Sequence, residues 1–159
     1  RDLRAAEQRH GLARGAAEAI LHELGSIDLL ADPRDLSEGE SLLAALAVVL
    51  CGSPQLLVFD EPTRGLDYDA KAGFARVLDT IVASQRGVVV VTHDVELAAV
   101  VADRVVVMAE GEVIDDGDPC DVLTRSAGFG PQISRVVAPA RLLTVDELVS
   151  VACAATPGA

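Results

Sequence analysis

The sequence predicts an α/β fold with a mostly parallel sheet, and three observations predict it. Two apolar runs, Leu56–Phe59 and Val88–Val91, are short, bounded by polar or turn residues and rich in valine and leucine, as buried strands are. Stretches with apolar residues at helical spacing lie before and between them. Alternation of this kind is the pattern of parallel strands joined by crossover helices. Both runs are expected to be buried on both faces, because helices usually cover a parallel sheet from each side.

Residues 1–10 are polar and charged and predict little. Leu12, Ala16, Ile20 and Leu24, with Ala13, Ala17 and Leu21 beside them, predict a helix over 12–24 that Gly25 stops. His10 and His22 are expected as surface side chains, since neither lies near other metal-ligand types at useful spacing. Asp32-Pro33-Arg34-Asp35 is a loop. Leu42, Leu43, Leu46, Val49 and Leu50 then predict a buried helix that starts near Gly39 or Glu40 and is capped by Ser37. Free N–H groups and the positive dipole end at such a start suit a phosphate, although an ordinary capped helix would read the same way.

The strand at 56–59 delivers Asp60 and Glu61 to its C-terminal tip, where open α/β sheets bind ligands. An acidic pair there suits two jobs: Asp60 can hold Mg²⁺, directly or through water, and Glu61 can polarise a water for attack on a phosphoryl group. Pro62 stops the strand and Gly65 allows a tight reversal. Asp67 caps a second amphipathic helix carrying Phe74, Val77, Leu78, Ile81 and Val82, which ends by Arg86-Gly87. The second strand follows, with His93 at its end. Asp94 caps a short helix through Ala102, Arg104–Met108 forms a third strand, and Glu110-Gly111 turns it into Glu112–Asp116. Asp118-Pro119-Cys120-Asp121 opens another helix. A last helix is expected over Val145–Ala152, in a tail punctuated by Gly128, Gly130, Pro131 and Pro139.

Composition removes several classes. A net charge of −12 on 159 residues disfavours binding to nucleic acid or anionic membrane through a general basic field. Cys51, Cys120 and Cys153 have no metal-type spacing and are expected as reduced thiols of a cytosolic protein. The longest apolar run, Leu42–Cys51, is ten residues, where a membrane-spanning helix needs about 20. A start at Arg1 without a methionine or a leader pattern gives the expectation of a piece cut from a longer chain. The single lysine, Lys71, sits in Asp69-Ala70-Lys71-Ala72, so the sequence contains no Gly-x-x-x-x-Gly-Lys-Ser/Thr phosphate loop.

Four segments resemble one family. Leu57-Val58-Phe59-Asp60-Glu61-Pro62 resembles the Walker B strand and catalytic glutamate of ABC-type ATPases, and Gly65-Leu66-Asp67 resembles their D-loop. Leu36-Ser37-Glu38-Gly39-Glu40 resembles the signature loop, usually Leu-Ser-Gly-Gly-Gln, and Val89-Val90-Val91-Thr92-His93-Asp94 resembles the strand ending in the switch histidine. The resemblance covers roughly residues 11–125, with the motifs in the family's order.

This resemblance implies a P-loop NTPase-like sheet from which the P-loop strand is missing; the family threads that strand between the His93 strand and the Val105 strand. Residues 1–35 are then the end of a helical subdomain, 36–125 the signature, Walker B, D-loop and switch-histidine part of the core, and 126–159 an accessory tail. It implies ATP and Mg²⁺ as cofactors, Glu61 and His93 as catalytic residues, Asp60 at the metal, and Ser37, Gly39 and Asp67 at the nucleotide. Ser37 and Gly39 would contact the γ-phosphate of ATP held by a partner subunit. Glu38 stands for the usual first glycine and Glu40 for the glutamine, and two carboxylates there should weaken that contact unless they point away or are paired.

The implied partners are a second ABC ATPase domain, as a homo- or heterodimer, and a transmembrane transporter subunit, with no nucleic acid. The implied place is the cytoplasmic face of a bacterial cell membrane. Asp60 to Asp67 with Pro62-Thr63, and the Asp103-Arg104-Val105-Val106-Val107-Met108 and Gly111 pattern, favour transporters over DNA-repair ABC ATPases, which share the Gly39-Glu40 ending. Thr63–Asp67 and Pro131-Gln132-Ile133-Ser134-Arg135 resemble the energy-coupling-factor importers of vitamins and metal ions. Alternatives are a truncated module that binds or regulates without catalysis, and a soluble repair-type ATPase. The chain alone is expected to be inactive, with unpaired valine edges prone to aggregation.

Overall fold

The computed structural model describes residues 2–25, 27–125, 131–132, 142–145, 147 and 150. The chain divides into two compact units, Arg1–Val91 and Thr92–Ala159.

The first unit contains α1 (Asp2–His10), α2 (Ala16–Leu24), α3 (Glu38–Leu50), β1 (Leu56–Asp60), α4 (Tyr68–Ala83) and β2 (Gly87–Val91). Helix α2 starts at Ala16, not at Leu12, because the chain turns through Gly11 (φ +66°) and Gly15 (φ +91°), a left-handed conformation that suits glycine. Buried Glu7 of α1 supplies the cap: its carboxylate accepts the N–H groups of Gly15 at 2.8 Å and Ala17 at 3.0 Å. A cap donated from the preceding helix leaves no adjacent sequence signal. His10 and His22 are exposed, as expected.

Strands β1 and β2 pair in parallel, with Leu57 opposite Val88 and Phe59 opposite Val90. Leu46 and Leu50 of α3 and Val77 and Ile81 of α4 close over Leu57, with Ile20, Leu24, Leu43, Phe59 and Val88 packed around them. Phe59 meets Phe74 edge to face, with ring centres 5.4 Å apart and planes at 82°. The expectation that both strands are buried on both faces is corrected here. Leu57 is 4% exposed but Val58 is 64% exposed, and Leu56, Val89 and Val91 are open as well. Successive strand side chains alternate faces, and α3 and α4 cover only one of them. An all-apolar run is compatible with either arrangement, so the run alone could not decide.

The second unit contains α5 (Val95–Val101), β3 (Val105–Ala109), β4 (Glu112–Gly117) and α6 (Pro119–Arg125). The hairpin turns at Glu110 (φ +51°) and Gly111 (φ +84°), the two left-handed residues that a tight hairpin of type I′ requires. Pro119, Val122 and Leu123 of α6 are buried, and α6 packs on both hairpin strands and on α5. Arg104 grips Asp116 with two bonds of 2.7 and 2.6 Å. The bond from Arg104 holds the Asp116 carboxyl below its usual range. The contribution of that pair is therefore present at neutral pH and is lost as pH falls through the lowered value.

Among the described residues β2 pairs only with β1 and β3 only with β4. No helix among the described residues is long and apolar enough to cross a membrane. The helix expected over Val145–Ala152 and the segment Pro131–Arg135 lie largely outside the described residues.

Candidate functional site

Asp60, exposed, is the last residue of β1. Glu61 continues the ladder by donating its N–H to the Val91 carbonyl at 2.8 Å. Its φ is +48°, a left-handed backbone that costs a non-glycine residue about 1–3 kcal/mol and persists where the surroundings fix it. The Glu61 carbonyl accepts from Arg64 at 3.2 Å and the Thr63 carbonyl from Leu66 at 3.1 Å, so two overlapping turns fold the chain back through Gly65 (φ +83°). Thr63 is buried beneath them. Asp67 ends the segment as the cap of α4, accepting the Ala70 N–H at 2.8 Å. The whole stretch from Asp60 to Asp67 is thereby pinned at both ends.

Ser37 caps α3 in a reciprocal box. Its hydroxyl oxygen accepts the Glu40 N–H at 3.2 Å, and Glu40 Oε2 accepts the Ser37 N–H at 2.9 Å and the Ser37 O–H at 2.8 Å. Those bonds, first the backbone one and then the hydroxyl, hold the Glu40 carboxyl below its usual range. Glu38 packs against Gly65: a Cβ on that glycine would lie 1.9 Å from Glu38 Oε2. A Cβ on Gly39 would meet the Ala70 Cβ at 3.4 Å, so the first turn of α3 rests on the first turn of α4. A cleft of about 460 Å³ opens here, lined among others by Ser37, Gly39, Glu40, Ala70, Gly73 and Arg76.

The structure thus brings Ser37 and Gly39 together with the start of α4 behind Asp67. Asp60 and Glu61 lie outside the lining of that cleft. His93 is exposed and belongs to the second unit, two residues beyond Val91. Of the two carboxylates in the signature stretch, Glu40 is paired with Ser37 and Glu38 is turned onto Gly65. Two features escaped the sequence reading: the Glu38 to Gly65 contact, and Arg76 as the cation among the described residues lining the cleft. Neither leaves a local signal in the sequence, since both depend on how segments distant in the chain pack around the starts of α3 and α4.

Gly65→Ala is expected to destabilise the protein by about 1–2 kcal/mol from the left-handed backbone alone, and further by displacing Glu38. Urea unfolding of Gly65→Ala and of Glu38→Ala/Gly65→Ala checks this. The double variant should recover part of the loss; equal losses would mean that Glu38 does not occupy that space.

Among the described residues no group of three or more acidic, histidine or cysteine side chains is arranged to cage a metal. A nucleotide-bound Mg²⁺ takes only one or two carboxylates beside phosphate oxygens. Asp60, open at a strand tip, fits that role.

Residues 19–99, just over half of the chain, match the family model described as "AAA domain, putative AbiEii toxin, Type IV TA system". A putative ABC transporter ATP-binding protein of Streptomyces coelicolor is 50% identical over 146 residues, covering 91% of this chain and 26% of that protein. The chain belongs to the ABC transporter ATP-binding family. A molybdenum import ATP-binding protein, ModC, of Mycobacterium tuberculosis is 40% identical over 132 residues, covering 79% of this chain and 36% of that one. An energy-coupling factor transporter ATP-binding protein of Mycoplasma pneumoniae is 32% identical over 119 residues, 75% of this chain and 39% of that one. A dimeric ATP-binding cassette, solved in a post-hydrolysis state with ADP and Pi bound, superposes with a TM-score of 0.58 at 28% identity, over 67% of this chain and 47% of that one. The fold is that of the ABC ATPase cassettes, a P-loop NTPase fold of mixed α/β type with a parallel sheet. This ABC-family chain spans about a quarter of the length of its Streptomyces relatives.

Proposed function

We propose that this chain supplies the signature, Walker B, D-loop and switch-histidine elements of an ATP-hydrolysing subunit that drives solute import through a membrane partner. The observation that carries the proposal is the acidic pair at the tip of β1, with the Glu61 backbone fixed in a left-handed conformation by its bond to Val91. In this reading Asp60 holds Mg²⁺, Glu61 orients a water and takes its proton, and His93 contacts the γ-phosphate. Ser37 and Gly39 contact the γ-phosphate of a nucleotide held by the second ATPase domain of a dimer, and Asp67 lies at the same interface. Mg²⁺ supplies charge neutralisation on the phosphate oxygens when bound.

Residues 1–35 end the helical subdomain, 36–125 form this half of the catalytic core and 126–159 are accessory. A phosphate loop with the missing lysine belongs elsewhere in the complete protein, which works at the cytoplasmic face of the membrane. Import is supported by the names of the ModC and energy-coupling-factor relatives, and the narrower energy-coupling-factor assignment by Thr63–Asp67.

The test is ATP turnover. Residues 1–159 alone are expected to release no phosphate from MgATP, whereas the complete protein turns over. Robust Mg-dependent hydrolysis by residues 1–159 would overturn the division of labour. An inactive complete protein that still binds its partner would favour a non-catalytic module.

A further inference from the structure

We propose that Glu40 is an internal competitor for the phosphate ligand of Ser37, so that the Ser37 donors are withheld from nucleotide until Glu40 leaves them. The inference rests on the phosphate contact proposed above for Ser37. A phosphate oxygen at this helix start needs hydrogen-bond donors, and the capping box commits two of the best placed, the Ser37 N–H and the Ser37 O–H, to one oxygen of Glu40. The Ser37 hydroxyl oxygen is also engaged, by the Glu40 N–H. Only the Glu38 and Gly39 N–H groups of the first turn lie outside the box.

An approaching phosphate therefore meets a carboxylate already seated where its own oxygen would go. It must break two bonds donated by Ser37 and overcome like-charge repulsion at contact distance. Glu38 does not compete in the same way, because its carboxylate is turned onto Gly65. Arg76 is the cation among the described residues on the same cleft lining. Departure of Glu40 and arrival of phosphate are then one exchange.

Glutamine at position 40 separates charge from capping. Its amide oxygen still accepts from Ser37, which keeps the capping box, while the repulsion is gone. In the complete protein, the MgATP concentration that half-saturates dimer closure is expected to fall about tenfold in Glu40→Gln, with thermal stability slightly lowered because the helix start and the Ser37 bonds favour the charged carboxylate. Ser37→Ala should weaken closure, and Ser37→Ala/Glu40→Gln should lose the gain. Glu18→Gln, an equal charge change at an exposed position of α2, should do nothing.

If Ser37→Ala leaves closure untouched, the phosphate role of Ser37 itself is wrong. If Ser37→Ala weakens closure but Glu40→Gln leaves it unchanged or makes it weaker, the role of Ser37 stands and the competition is refuted. An equal gain in Glu18→Gln would refute it too, since the effect would then be one of net charge.

Discussion

Glu61→Gln in the complete protein is expected to lower ATP turnover by about 10²–10⁴-fold, the usual loss on removing a general base. In free energy this is about 2.7–5.4 kcal/mol of transition-state stabilisation. Glutamine matches glutamate in size, and the left-handed backbone at this residue is set by the bond to Val91 and the Arg64 turn, neither of which involves the carboxylate. Binding of MgATP should therefore survive, and the protein should collect as a closed, ATP-bound dimer. Steady-state phosphate release gives the first quantity, and size-exclusion with and without ATP gives the second. A turnover number equal to that of the wild type would remove Glu61 from the role of base. Glu61→Gly serves as the complementary control: it relieves the backbone strain but deletes the carboxylate, so it should be as slow as the glutamine variant.

How much of this was legible in the sequence follows from the range of the interactions involved. Helices α3 and α4 were legible because their apolar spacing, their caps at Ser37 and Asp67 and their breakers are all local signals. The place of the acidic pair at a strand tip was legible because a short, bounded apolar run predicts a strand and the acids follow it directly. The start of α2 was not, because its capping group is Glu7, supplied from the preceding helix. Nor was the exposure of one face of β1 and β2, since Leu56–Phe59 is apolar at every position and what covers each face is a tertiary fact. Near the candidate site the sequence marked Glu38 and Glu40 as a problem of charge. It could not say that one is locked onto Ser37 and the other seated on Gly65, because the second contact joins segments that are 27 residues apart, 65 − 38. A local repulsion was visible, and its resolution lay in the packing of one helix start on another.

Phe74→Ala should have the largest effect on stability, about 3–5 kcal/mol, and it should reach the site as well. Phe74 is 2% exposed, and its ring stands edge to face against Phe59. Such a pair contributes about 0.5–1.5 kcal/mol beyond the area that it buries. Phe59 directly precedes Asp60, so the aromatic pair fixes the depth and direction at which β1 delivers its acids. Truncation leaves a void beneath that strand end, and close-packed interiors relax only partly into such a space. Two consequences are expected together: faster amide hydrogen exchange through β1 and α4, and a lower turnover number at saturating ATP. Phe74→Leu fills most of the void but lacks the ring, so it should recover most of the stability without the aromatic term. A double-mutant cycle with Phe59→Leu isolates that term. A loss below about 1 kcal/mol in Phe74→Ala would show that this pair does not anchor β1, and the acids would then owe their placement to the Glu61 to Val91 bond and the turns that follow it.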